Sequence, residues 1–313
     1  MSYNICVIIK IKLLSNLVKG GGKMTYFVDF AKNLTKKSNI GVLIYLILNT
    51  LIVVALFSGG FSDVKGIFFG IMAYAISLVI ALSPIGEWVL RLQTGCKKIK
   101  RKEFINRLEP LFNEVYAKAK QLNPSIPDDV QLFMSNDEEP NAFATGRKTI
   151  CLTKGFLRYS DDQIKATFAH ELGHLAHKDT DLILMITIGN FIVTGIFIIY
   201  RVFINIAGII VGAASEEIGS IVYNIFIDLI LVAMMWIWTK IGTMLVMHSS
   251  RQNEYLADEF AFNCGYGDSL ACVLDTFSGS STKGLWANLA SSHPDSDDRI
   301  ARLQELGLSY VRE

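Results

Sequence analysis

The chain is short of charge. Of its 313 residues only 19% are Asp, Glu, Lys or Arg, against 51% hydrophobic. That is too apolar for an ordinary soluble protein and indicates several membrane spans beside a globular part. Cysteine is also sparse: Cys6, Cys96, Cys151, Cys264 and Cys272 are scattered, with no CxxC pair. An odd, frameless set excludes a disulfide scaffold and a thiolate zinc cage, and it fits free thiols in a reducing compartment. A net charge of +1 implies no nucleic-acid partner. There is no internal repeat and no low-complexity tract. Histidine is scarce too, at five residues, and three of the five fall at positions 170, 174 and 177.

Two stretches contain no charged residue at all, Ser38 to Ser62 and Gly66 to Gly86. Each is long enough to cross ~30 Å of hydrocarbon as a helix. The tight connection at Ser58 to Asp63 makes them a hairpin. Two further apolar segments follow, Leu182 to Tyr200 with an extension to Ala214, and Ile221 to Met247, the latter broken only by Asp228 and Lys240. Lysines precede the first span, and Arg91, Lys97, Lys98, Lys100, Arg101 and Lys102 follow the second. The loop of the second hairpin carries Glu216 and Glu217 and no basic residue. The positive-inside rule therefore places the outer ends of both hairpins in the cytoplasm. Asp228 is costly in lipid, so it is expected to pair with Arg201 or to reach the interface. Lys240 is expected to snorkel inward. Met24, after Gly20 to Gly22, is a candidate start site.

Between the hairpins the chain is soluble in character. Lys100 to Leu122 reads as an amphipathic helix, ended by Pro124 and Pro127. Val130 to Met134, Asn141 to Gly146 and Lys148 to Thr153 read as strands, with a turn at Gly146-Arg147. After the second hairpin, Ser250 to Phe262 reads as a helix that stops near Gly265. A Ser/Gly-rich loop surrounds Ser278 to Ser281, and a last helix runs from Asp295 to Leu306.

One helix organises the rest. Ser160 with Gln163 forms a capping box, Asp161 and Asp162 sit at the positive end of the helix dipole, and Ile164, Phe168, Leu172 and Leu175 recur at helical spacing. His170 and His174 lie four apart and so project side by side, as two ligands of a tetrahedral zinc must. Glu171 comes next round the cylinder, where it can reach a metal-bound water without ligating the metal. Gly173 costs about 1 kcal/mol in a helix interior, so another backbone is expected to approach there. His177 could be a fourth ligand, but that would close the position catalysis needs, and a surface or supporting role is preferred. Two histidines leave the zinc short of a protein ligand. Glu254 is the chosen third, with Asp258 one turn on to accept the free ring N–H of a ligating histidine. The spacing alone reads equally well as a solvated face. The second hairpin would close the gap between His174 and Glu254, because both of its ends return to one surface.

Taken together, His170 to His174, Arg251 with Glu254 and Asp258, Asn141 to Gly146, and Ser292-His293-Pro294 resemble the motifs of the HtpX-type membrane zinc metalloproteases, relatives of the type I CAAX prenyl proteases. The resemblance covers roughly residues 38–306. It implies one Zn2+ per chain held by His170, His174 and Glu254, with Glu171 as catalytic base and Asp258 supporting a ligand. It also implies that Asn141, Ala142 and Phe143 hold the peptide as an added edge strand, and that His293 stabilises the oxyanion, although Ser-His-Pro also reads as a helix start.

The expected architecture is mainly α: a multi-pass membrane protein with four spans and a cytoplasmic, zincin-like α+β catalytic domain. Its parts are an extension (1–37), hairpin 1 (38–90), the first catalytic part (91–181), hairpin 2 (182–247) and the second catalytic part (248–313). The expected function is a zinc endopeptidase of the cell membrane. Both termini and the active site face the cytoplasm, and the substrates are misfolded membrane proteins in quality control. The rival readings are a membrane scaffold with a structural zinc, which would have no need of Glu171, and a CAAX-type C-terminal processing protease, which would need more membrane sequence. No oligomeric partner is legible.

Overall fold

The computed structural model describes residues 32–215, 218–277 and 294–311. A 3-10 turn at Lys37–Asn39 leads into α1 (Ile40–Phe57), which pairs with α2 (Val64–Ala81). Both are long and apolar enough to cross a membrane. Asp63 caps α2 by accepting from the N–H groups of Lys65 and Gly66 at 3.0 and 2.9 Å. The uncharged run breaks earlier than its composition implies. Ser83 caps a separate short helix, α3 (Pro84–Gln93), with Pro84 at its first turn, where a missing N–H costs nothing. α3 turns Glu87 and Leu90 inward and leaves Ile85, Trp88 and Leu92 exposed.

A four-stranded sheet and its covering helices follow. β1 (Lys97–Lys98) precedes α4 (Lys102–Leu122); then come β2 (Gln131–Ser135), β3 (Ala142–Thr145) and β4 (Thr149–Thr153). The sheet order is β1-β2-β4-β3, with β2 and β4 parallel and the other pairs antiparallel. β3 is therefore an edge strand. Gly146 turns β3 into β4 with φ of +62°, and a Cβ there would lie 2.7 Å from Cγ of Glu87, so the turn packs directly on α3. Cys96 and Cys151, 55 residues apart, are bonded. This differs from the free thiols that their scatter implies, because β1 and β2 bring the end of α3 beside β4. Cys264 and Cys272 are free.

α5 (Asp161–His177) begins at the Ser160–Gln163 capping box. Its Ile164, Phe168, Leu172 and Leu175 pack on Leu108, Phe112, Val115 and Ala119 of α4, with Phe112 edge-on to Phe168 at 5.4 Å. Lys178, at φ of 61°, breaks the helix. Beyond it run α6 (Asp179–Ser215) and α7 (Ile218–Ala261), each carrying a segment able to cross a membrane. Arg201 donates two hydrogen bonds to Asp228, at 2.6 and 2.5 Å, and Asn205 adds a third at 3.0 Å. The hairpins are joined by polar links: Trp238 donates to Asn49 at 3.1 Å, and Asn253 to Asn39 at 3.2 Å. Nζ of Lys240 lies over the Trp236 ring. A tight turn at Phe262–Tyr266 leads to α8 (Gly267–Phe277), and α9 (Ser296–Glu305) packs Ile300 and Leu303 into the main core.

Candidate metal centre

α5 and α7 cross where the first is narrowest. A Cβ on Gly173 would lie 2.9 Å from Cα of Ala257, so the glycine lets the two backbones meet. This contact brings the one-turn pair on α5 against the face of α7 that carries Glu254 and Asp258. Nε2 of His170 and Nε2 of His174 are 3.2 Å apart. The Glu254 carboxylate lies 3.5 Å from the first and 3.4 Å from the second. A tetrahedral zinc with bonds of ~2.0–2.1 Å places its ligand atoms ~3.3 Å apart. Two imidazole nitrogens and a buried carboxylate at that spacing could hold a metal ion. His177 stands outside the cluster, edge-on to Phe260.

The ring orientations are set from behind. Nδ1 of His170 faces Asp258 at 2.9 Å, and Nδ1 of His174 faces Asp179 at 3.4 Å. A carboxylate acceptor at Nδ1 keeps the proton there and leaves Nε2 with its lone pair toward the cluster. Arg299, from α9, clamps Asp258 with hydrogen bonds of 2.7 and 2.6 Å and lies 3.2 Å from Glu254. His170, Glu171, Asp179, Glu254, Asp258 and Arg299 are all buried. The buried Arg299 guanidinium therefore offsets part of a large buried negative charge. Burial pushes the His170 and His174 pKa values down, but the facing carboxylates outweigh it and hold both above the ordinary histidine value. Burial raises the Asp258 pKa, and the Arg299 guanidinium more than reverses that, leaving the carboxyl below its ordinary range.

Glu171 points to the sheet. Its Oε2 accepts from the backbone N–H of Ala144 at 2.6 Å. Asn141 and Phe143 pair with Thr153 and Cys151 across the ladder. By alternation the backbone groups of Ala142 and Ala144 face the open edge. The Phe143 side chain packs on the far side of the sheet with Phe133 and Cys151. The Asn141 side chain accepts from the N–H of Ala142 at 2.8 Å. His293 lies outside the described residues.

Two residues of the centre are not signalled by the metal-binding pattern. Asp179 looks like the start of the next helix, and only the left-handed Lys178 swings it back onto His174. Arg299 sits in a polar Asp-Asp-Arg run that reads as a solvated face. The one hint is its place four residues before Leu303, on the apolar stripe of α9.

A model of the family described as Peptidase family M48 matches residues 106–307. The chain is 27% identical over 298 residues to a protease HtpX homolog of Tropheryma whipplei (strain Twist), covering 84% of this chain and 97% of that one. It is 28% identical over 264 residues to protease HtpX of Pseudomonas paraeruginosa, covering 76% and 85%. Among solved structures, that of S. mikatae Ste24p superposes with a TM-score of 0.48 at 19% identity. The superposition covers 89% of this chain and 65% of the Ste24p chain.

Proposed function

The chain belongs to peptidase family M48 and is a multi-pass membrane metalloprotease; from that premise we propose that it is a zinc-dependent endopeptidase with Glu171 as its catalytic base. The observation that supports this reading is the convergence of His170, His174 and Glu254, with the neighbouring Glu171 of α5 hydrogen-bonded to the edge strand β3. A purely structural metal would have no use for a carboxylate so placed.

His170, His174 and Glu254 would hold the ion, and their two imidazoles and carboxylate suit zinc. When bound, zinc supplies Lewis acidity toward the attacking water and the scissile carbonyl. Glu171 takes the proton from that water and passes it to the leaving amine. The Ala144 N–H fixes the carboxylate for both transfers. Asp258 and Asp179 keep the ligand rings in the required tautomer, and Arg299 keeps Asp258 ionised. The carbonyls of β3 that face its open edge accept the peptide as an added strand, with Asn141 to Phe143 bordering it. His293 is assigned the developing oxyanion.

The distribution of basic residues supports a cytoplasmic active site and termini, in the cell membrane. On this reading hairpin 1 is 38–90 and hairpin 2 is 182–247. Residues 91–181 and 248–313 supply the two catalytic parts, and 1–37 is an N-terminal extension. The substrates are misfolded membrane proteins cleared in quality control. Purified full-length protein should cleave casein, lose that activity with a chelator and regain it with zinc. Chelator-insensitive cleavage, or none by the zinc-loaded protein, would remove the reading.

A further inference from the structure

The open edge of β3 has a direction relative to the bilayer. At its Thr145 end, Gly146 packs on Glu87 of α3, and Glu87 accepts from the Thr149 hydroxyl at 2.6 Å and from the Lys148 N–H at 3.3 Å. Arg147 in the same turn bonds Asp181 at 3.2 Å, one residue before the apolar run of α6 begins. Leu182 in turn packs against Val42 and Leu46 of α1. α3 starts three residues after the α2 span, and its Ile85, Trp88 and Leu92 are 59%, 54% and 60% exposed. A short helix with that apolar face and a tryptophan, directly following a span, lies in the interfacial layer. The Thr145 end of β3 is therefore at the membrane surface. The Asn141 end lies away from it, beside Thr153, from which the chain leads to the far end of α5.

Of the backbone groups on the open edge, both N–H donors are taken, by Glu171 and by the Asn141 side chain. Among the described residues the carbonyls of Ala142 and Ala144 face the open edge, placed to accept from a second strand. Antiparallel pairing is the more stable ladder, and β3 runs toward the bilayer. Resting on the hydrolytic reading above, we propose that the bound peptide runs away from the bilayer. The segment before the cut is then the membrane-side one, and the substrate class is a polypeptide cut shortly after a membrane span. Ten residues separate Glu171 from Asp181, which would rise ~15 Å as one helix and rise less with the break at Lys178. An extended chain covers ~3.3 Å per residue, so up to about five residues join span to cut.

The test uses the zinc-loaded full chain in liposomes and a casein segment that is first offered free. That segment is fused about five residues after a single membrane span, or about five residues before one, and presented on the side of the catalytic domain. The span-first fusion should be cut at least about tenfold faster, about 1.4 kcal/mol in the barrier. Equal rates, or faster cutting of the span-last fusion, overturn the proposed direction while cleavage of the free segment leaves the hydrolytic reading standing. A loaded enzyme that cuts none of the three, the free segment included, overturns both.

Discussion

The backbone N–H of Ala144 and the carboxylate of Glu171 are joined at 2.6 Å. A strand that would accept the peptide and a side chain that would move its proton are thus one unit. Glu171→Gln keeps an acceptor for that N–H and leaves the ligand cluster untouched, but it removes the base. Metal content should stay at the wild-type level while the cleavage rate falls by ~10²–10⁴-fold. An unchanged rate in a folded, metal-loaded variant would show that another group takes the proton.

Glu254→Ala removes the ligand proposed to come from α7. Metal bound per chain, measured by elemental analysis after gel filtration, should fall close to zero. Asp179→Asn keeps a weaker acceptor at the His174 ring, so metal should still bind, with affinity lowered by ~10–100-fold. Equal losses in the two variants would contradict the division between a ligand and its support.

Arg299→Met strips a buried cation from between Asp258 and Glu254. Removing one partner of a buried pair costs ~3–5 kcal/mol, read as a lower thermal midpoint of the metal-free protein. The same change made on top of Asp258→Asn should cost clearly less, because the stranded charge is gone. If the two costs simply add, Arg299 acts elsewhere.

Acidity bears on the centre with a definite sign. Against the downward push of burial, the facing carboxylates hold His170 and His174 above the ordinary histidine value of 6.5 in the metal-free chain. Their contribution to metal-free stability is complete below that value and is lost as pH rises through the raised folded values. Metal must displace those protons, so its affinity rises with pH over the same window. The gap in thermal midpoint between metal-loaded and metal-free protein should widen as pH is raised above 6.5. A constant gap would mean that no ring proton is displaced.

Gly173→Ala places a methyl 2.9 Å from Cα of Ala257. That Cα and the Ala257 carbonyl oxygen at 3.1 Å are both backbone, so neither can swing away. The added carbon should cost ~1–3 kcal/mol and weaken metal binding by prising Glu254 from the histidines. Thermal melting and zinc titration of the variant would show both effects, and wild-type values in each would mean that the helices have room to part.

The helix of the paired histidines was readable because everything it needs is local: a cap, a period and two histidines one turn apart. The same holds for the spans, which only need length without charge. The shared depth of Arg201 and Asp228 left pairing or reaching the interface open, and the hydrogen bonds between them decide for the pair. Residues brought together by tertiary structure were harder to read. Asp179 depends on one left-handed residue, Arg299 arrives from a helix beyond a long loop, and the Cys96–Cys151 bond depends on the order of strands. The separate helix α3 was missed because Ile85 and the residues before it continue the apolar composition of α2, and only Ser83-Pro84 marks the break. The last span and the Glu254 helix, read as separate pieces, are one continuous rod, since no proline or glycine interrupts Thr243 to Ala261.

That rod is ~65 Å long at 1.5 Å per residue. Half of it lies among lipids, and the other half carries a carboxylate whose 3.4–3.5 Å spacing to two imidazoles must hold to a few tenths of an ångström. With no joint between the halves, leaning the outer half by ~5° swings a point ~20 Å along the rod by ~2 Å. Bilayer thickness thereby becomes a mechanical input to the chemistry.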